Sequence, residues 1–123
     1  MSVTPEDIFK LAQRLSQEKD ETSMRSAISR AYYASFIRSR DYVEMRQWPV
    51  YTDKGSHEGV IEALKREKIA DLITVAKELK RIKDYRKVAD YDTSLTVTAF
   101  QVQESLDAFE NILSLIHDVE VAS

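Results

Sequence analysis

Cysteine is absent from this chain of 123 residues. That excludes disulfides, thiolate nucleophiles and thiolate-held metals, and it suits a cytoplasmic protein. Glycine and proline occur only twice each, too few for a glycine-rich phosphate loop. Histidine also occurs twice, as His57 and His117, and neither sits in a metal-ligand spacing. His57-Glu58 is not followed by a second His, which removes the zinc-protease helix, and the Glu and Glu-x-x-His pairs of di-iron bundles are missing. No metal or cofactor is therefore expected. No nucleophile with an adjoining base can be named. No apolar run approaches the roughly 18 residues of a membrane span, and no signal peptide opens the chain, so insertion and secretion are not expected.

Basic residues are also missing from one end. All 18 Lys and Arg lie at or before Lys87, against 14 acids in the same stretch, so residues 1–87 carry +4 and residues 88–123 carry −7. A basic face that meets phosphate would produce this asymmetry. Complementary charges on neighbouring helices of one bundle would produce it too, and the small net charge of −3 favours that simpler reading.

What is present points to an all-α fold, since Ala, Leu, Glu, Lys and Arg are frequent and helix breakers are rare. Thr4-Pro5-Glu6-Asp7 reads as a helix start, with a hydroxyl cap, proline at the first helical position and acids at the positive dipole end. Ile8, Leu11, Ala12 and Leu15 form the buried stripe of that helix, which ends near Lys19. Asp20 to Ser23 supply caps for a longer helix running to about Arg46. Within it Ala27, Ala31, Ala34 and Ser35 form a seam of small residues, flanked by Ile28, Tyr32, Tyr33, Phe36 and Ile37. Tyrosines beside arginines, such as Arg30 and Tyr33, suit base stacking or phosphate binding. They equally suit core rings with hydrogen-bonded hydroxyls and snorkelling cations, the commoner case.

Residues 47–55 form the one clear loop, because Pro49 and Gly55 both interrupt helices. Trp48, Val50 and Tyr51 make it apolar enough to pack down or to line a partner surface. Ser56 is expected to cap a short helix ending around Lys68, and Asp71 to start a fourth. Residues 91–94 offer caps for a last helix, in which Ala99, Val102, Leu106, Phe109, Leu113 and Ile116 alternate steps of three and four. Phe100, Ile112, Leu115 and Val119 add a second apolar flank, which predicts a central position or a dimer interface for this helix. The sum is a single domain over residues 1–123, an up-and-down bundle of four long helices plus one short one.

The fourth helix carries one break in its pattern. Leu72, Val75, Ala76, Leu79 and Ile82 keep an apolar face, and the next inward position is Arg86. A guanidinium there cannot shed its charge and needs carboxylates, a cleft or a ligand. Asp90 lies at helical reach and Asp92 follows. Beside Tyr91, Asp90 and Asp92, Arg86 has the chemistry to hold a phosphate or to stabilise charge developing on phosphorus. An ion pair that only joins two helices has the same spacing.

Three stretches together resemble the HEPN family of prokaryotic defence and toxin–antitoxin proteins: Ser29 to Phe36 (SRAYYASF), Ser56 to Ile61 (SHEGVI) and Arg86 to Asp92 (RKVADYD). They come in the family's order, and the likeness covers about residues 5–118. The resemblance implies a helical bundle that homodimerises, with two copies of the arginine motif facing one basic cleft. Active members are metal-independent ribonucleases whose motif is an Arg and a His separated by four to six residues. Arg86 matches the Arg; Tyr91, Asp92 and Thr93 stand at the positions for the His. Many HEPN-like proteins are encoded beside a small nucleotidyltransferase, and the resemblance implies that kind of partner here. Two functional expectations follow. One is a homodimer that binds RNA or a nucleotide through a cleft of Arg86, Arg30, Tyr33, His57, Asp90 and Asp92, with Tyr91 as the second candidate catalytic residue and weak cleavage of RNA as an open question. The other is a non-catalytic module that docks a partner protein.

Overall fold

A computed structural model describes residues 2–122. They form five helices and no strands: α1 (Pro5–Ser16), α2 (Glu21–Met45), α3 (Ser56–Arg66), α4 (Ala70–Tyr91) and α5 (Ala99–Ala122). Three helices are long and two short, rather than the four and one expected from the sequence. The difference lies in α1, where the Gln17 amide turns back to the Arg14 and Leu15 carbonyls and closes the helix after 12 residues.

Helix starts follow local chemistry. The Asp7 amide donates to Thr4 Oγ1 at 3.1 Å and the Thr4 amide to Asp7 Oδ2 at 3.0 Å, a reciprocal cap with Asp in the usual Glu position. Asp20 caps α2 by accepting from the Ser23 amide at 2.8 Å. Two expected caps are corrected. Gly55, with φ of +101°, occupies the cap position of α3, and Ser56 is the first helical residue. α5 is capped by Thr98, whose Oγ1 accepts from the Gln101 amide at 3.1 Å while the Gln101 side chain accepts from the Thr98 amide at 2.9 Å. Residues 91–94 instead end α4, with the Ser94 amide donating to Asp92 Oδ1 in a local turn.

Helix α2 is the centre of the bundle and packs against all four others. The sequence favoured α5 for that place. The seam explains the outcome: Ala27, Ala31, Ala34 and Ser35 are all fully buried and let neighbours approach the α2 backbone closely. The buried hydroxyls of Ser35 and Ser39 donate to the Ala31 and Ser35 carbonyls at 2.8 Å, so they add no unpaired groups to this seam. On α5 the second apolar flank is only partly covered, and Phe100 is 68% exposed. On α1 the buried face is centred on Phe9 and Ala12, with Phe9 stacked on Phe109 at 4.4 Å, while Ile8 and Leu15 flank it.

Two apolar clusters fill the interior. One joins the C-terminal half of α2 to α3, the first part of α4 and the end of α5; the other joins α1, the start of α2, the end of α4 and the start of α5. Tyr85 packs against both. The loop between α2 and α3 lies down on the first cluster through Trp48 and Val50, with the Trp48 ring edge-on to Tyr42 at 5.8 Å. Gly59 permits this, because a Cβ there would stand 2.6 Å from the Tyr51 carbonyl oxygen and 2.8 Å from the Val50 side chain. Tyr51 stays outside, 62% exposed.

The C-terminus of α4 is tied down by Arg25. A helix end leaves its last carbonyls without intrahelical partners. Arg25 Nη1 donates to the carbonyls of Val88 and Ala89 at 3.0 Å and of Asp92 at 3.1 Å, and Nη2 donates to that of Leu95. Its Nε meets Glu21 at 2.8 Å, and the same Glu21 oxygen accepts from the Val97 amide at 3.0 Å. One partly buried cation thus fixes the final turn of α4 and the strap leading to α5. No helix among the described residues is long and apolar enough to cross a membrane.

Candidate functional site

Residues 29, 32, 33 and 36 share one face of α2, because their spacing follows the helical repeat. Against that face lie the first turn of α3, with His57 and Glu58, and the last two turns of α4, with Lys83, Arg86 and Asp90. Arg86 flanks the apolar stripe of α4, which itself continues through Tyr85 to Ala89. Its side chain is only 13% exposed.

Arg86 is held by one carboxylate and three aromatic rings. Nε donates to Asp90 Oδ2 at 2.8 Å, and Nη2 donates to the hydroxyls of Tyr33 at 3.1 Å and Tyr91 at 3.2 Å. The guanidinium carbon lies 5.2 Å from the Tyr33 ring centre, 5.3 Å from Tyr91 and 5.7 Å from Tyr32, within cation–π range. Nη1 makes no hydrogen bond among the described residues. Burial works against the charge, but Tyr33, Tyr91 and Asp90 outweigh it and hold the guanidinium more firmly protonated.

His57 joins this cluster from α3. Its ring is stacked on Phe36 at 4.0 Å and on Tyr32 at 5.6 Å, and Nδ1 is 2.5 Å from the Tyr32 hydroxyl. Nε2 makes no hydrogen bond among the described residues. Burial, then Arg86, then Lys83 lower the affinity of the imidazole for a proton, so it is neutral at neutral pH. Burial pushes the Tyr32 phenol far above its ordinary value, so that hydroxyl keeps its proton. Beside them Lys83 donates to Glu58 Oε2 at 3.1 Å, with Lys80 at 3.7 Å from the same oxygen. The bond from Lys83 holds the Glu58 carboxyl below its usual range.

The arrangement therefore offers a fixed cation with open donors, a neutral imidazole and stackable rings on one open face. It suits an anion carried by a planar or polyhydroxylated group. No group of three His, Cys, Asp or Glu among the described residues is placed to hold a metal ion. A depression of about 460 Å³ lies elsewhere on the α3–α4 face and shares Glu58 and Lys80 with the cluster.

The structure brings together Arg86, Tyr33, Tyr91, Asp90 and His57. It separates the other two expected residues. Asp92 lies past the helical face of Arg86, in an extended conformation, and its carboxylate accepts from the Ser94 amide and hydroxyl. Arg30 is exposed, has no hydrogen-bond or ion-pair partner among the described residues, and lines a separate polar bowl that reaches Asp90. Tyr91 is 71% exposed. Sequence reasoning missed Lys83, Glu58, Ser29 and the Tyr32 hydroxyl. Lys83 precedes Arg86 by one helical turn, a visible signal, whereas the meeting of Tyr32 with His57 depends on how α3 docks. No family model, no curated protein and no solved structure matches this chain.

Proposed function

We propose that this chain is a HEPN-like protein of prokaryotic toxin–antitoxin or defence type, acting as a homodimer and binding RNA or a nucleotide through Arg86. The observation that carries the reading is a guanidinium 13% exposed, with a single carboxylate partner and Nη1 donors left open, set against the rings of Tyr33 and Tyr91. A structural ion pair needs neither the open donors nor the rings. The neutral imidazole of His57 supports metal-independent acid–base chemistry at an RNA 2′-hydroxyl, with Arg86 stabilising charge on phosphorus. In this reading His57 takes the place of the histidine missing after Arg86.

The test is incubation of the pure protein with structured RNA in EDTA, beside Arg86→Ala. Salt-sensitive binding that Arg86→Ala weakens at least tenfold supports the reading. Neither binding nor cleavage by the wild type ends it. A second reading, a module that docks a partner protein such as a small nucleotidyltransferase, is favoured by the exposure of Tyr91, Leu95 and Phe100 around the α4–α5 connection. A complex with such a partner that survives Arg86→Ala but fails with Phe100→Ser would select it.

A further inference from the structure

Beside the Arg86 cluster, between the start of α2 and the end of α4, lies a polar bowl of about 340 Å³ lined by Thr22, Ser26, Ser29, Arg30 and Asp90. This is the lower end of the size range of small-ligand sites, roughly 300–1,000 Å³. Thr22, Ser26 and Ser29 share one face of α2 at the helical repeat, so three hydroxyls line one wall. Those of Thr22 and Ser26 make no hydrogen bond among the described residues. Arg30 has no partner among them either. Asp90 stands at the boundary with the Arg86 cluster: its Oδ2 accepts from Arg86 Nε at 2.8 Å and from Ser29 Oγ at 3.2 Å, while Oδ1 accepts from none of the described residues. The floor is rigid, because Arg25 beneath it is fully engaged by the carbonyls of α4 and its strap.

We infer that this bowl is a ribose-phosphate subsite, which makes the ligand of the Arg86 face a ribonucleotide chain rather than any polyanion; the inference rests on the reading of Arg86 as a phosphate-binding group. An open carboxylate oxygen and free hydroxyls are the acceptors and donors that bind sugar hydroxyls, and a carboxylate is a common partner of a ribose 2′-hydroxyl. Arg30 at the rim supplies the second cation for the adjoining phosphate. Asp90 is suited to this place because Arg86 neutralises it on the other side, so it accepts a hydroxyl without repelling the phosphate. A site built this way distinguishes RNA from DNA by the 2′-hydroxyl.

The experiment measures binding of fluorescein-labelled oligouridylate and oligodeoxyuridylate of equal length by anisotropy, for the wild type and two variants that fill the bowl, Ser26→Leu and Thr22→Leu. Thr22 is exposed, so its replacement is tolerated by the fold even if that of half-buried Ser26 is not. The wild type is expected to prefer the ribo-oligomer at least tenfold, and a filled bowl to bring it down to the level of the deoxy-oligomer without changing the latter. Equal binding of both oligomers by the wild type overturns the bowl while leaving the Arg86 reading intact. A ribo-preference that survives both substitutions overturns it too. Failure to bind either oligomer overturns the Arg86 reading and this inference with it.

Discussion

Replacing Arg25 with Met removes one side chain and releases four carbonyl acceptors. The methionine fills much of the same space, so the packing change is small. Ala89 loses the Arg25 bond to its α4 carbonyl, Val88 keeps only the bond from the Asp92 amide at 3.1 Å, and Asp92 and Leu95 lose the bonds that hold the strap. The Arg25 side chain is 16% exposed, so water replaces some of these bonds but not all. Two carbonyls left poorly satisfied at about 1 kcal/mol each, plus about 1 kcal/mol for a cation at the negative end of the helix dipole, give a loss of roughly 3 kcal/mol. With an unfolding entropy of about 2.1 cal/mol/K per residue, that lowers Tm by about 10 °C. Thermal unfolding followed by circular dichroism is the assay, with denaturant titration to give the free energy. Arg25→Lys should recover only part of the loss, since one ammonium cannot span acceptors that a planar fork reaches. A loss below about 1 kcal/mol for Arg25→Met would show that the α4 terminus does not depend on this cation.

Two other perturbations have clear signs. The Tyr42 hydroxyl is buried with no hydrogen-bond partner among the described residues, so Tyr42→Phe should be neutral or raise stability by about 1 kcal/mol, and a clear loss in denaturant titration would reveal a partner for it. His57 is held below its ordinary pKa, so as pH falls through about 6.5 the unfolded chain takes up a proton that the folded chain does not. Stability therefore falls between that point and the folded value and is flat above it. His57→Gln removes this contribution and should lose less stability than wild type between pH 7.5 and pH 5, even though Glu58, Lys83 and Tyr32 remain around the site; an equal or larger loss in the variant would contradict the assignment.

Much of the fold was legible because its signals are local. The caps at Thr4 and Asp20, the small-residue seam of α2 and the stripe of α4 each depend on residues within a few positions. Thr98 escaped notice because the polar run of residues 91–94 looked like the stronger cap, while the strap held by Arg25 and Glu21 delays α5 to residue 99. Phe9 was overlooked because Ile8 and Leu15 give an equally good stripe, and only the stack on Phe109 on a distant helix selects the other. At the site, the pairing of Arg86 with Asp90 follows from helical spacing. The contribution of His57 does not, since it comes through the docking of α3 on α2 and the stack on Phe36. Asp92 was wrongly grouped with Arg86 because sequence adjacency ignored the change of direction where the helix ends.

In the proposed function, Arg86 is kept for a ligand rather than for the fold. The direct measurement is Arg86→Leu, with unfolding free energy and RNA affinity determined on the same preparation. Removing one exposed-edge ion pair and a set of cation–π contacts while relieving the burial of a charge leaves stability within about 1 kcal/mol. RNA affinity should fall at least tenfold. A variant that loses several kcal/mol, while its folded fraction binds RNA as the wild type does, would make Arg86 a structural brace and contradict the account.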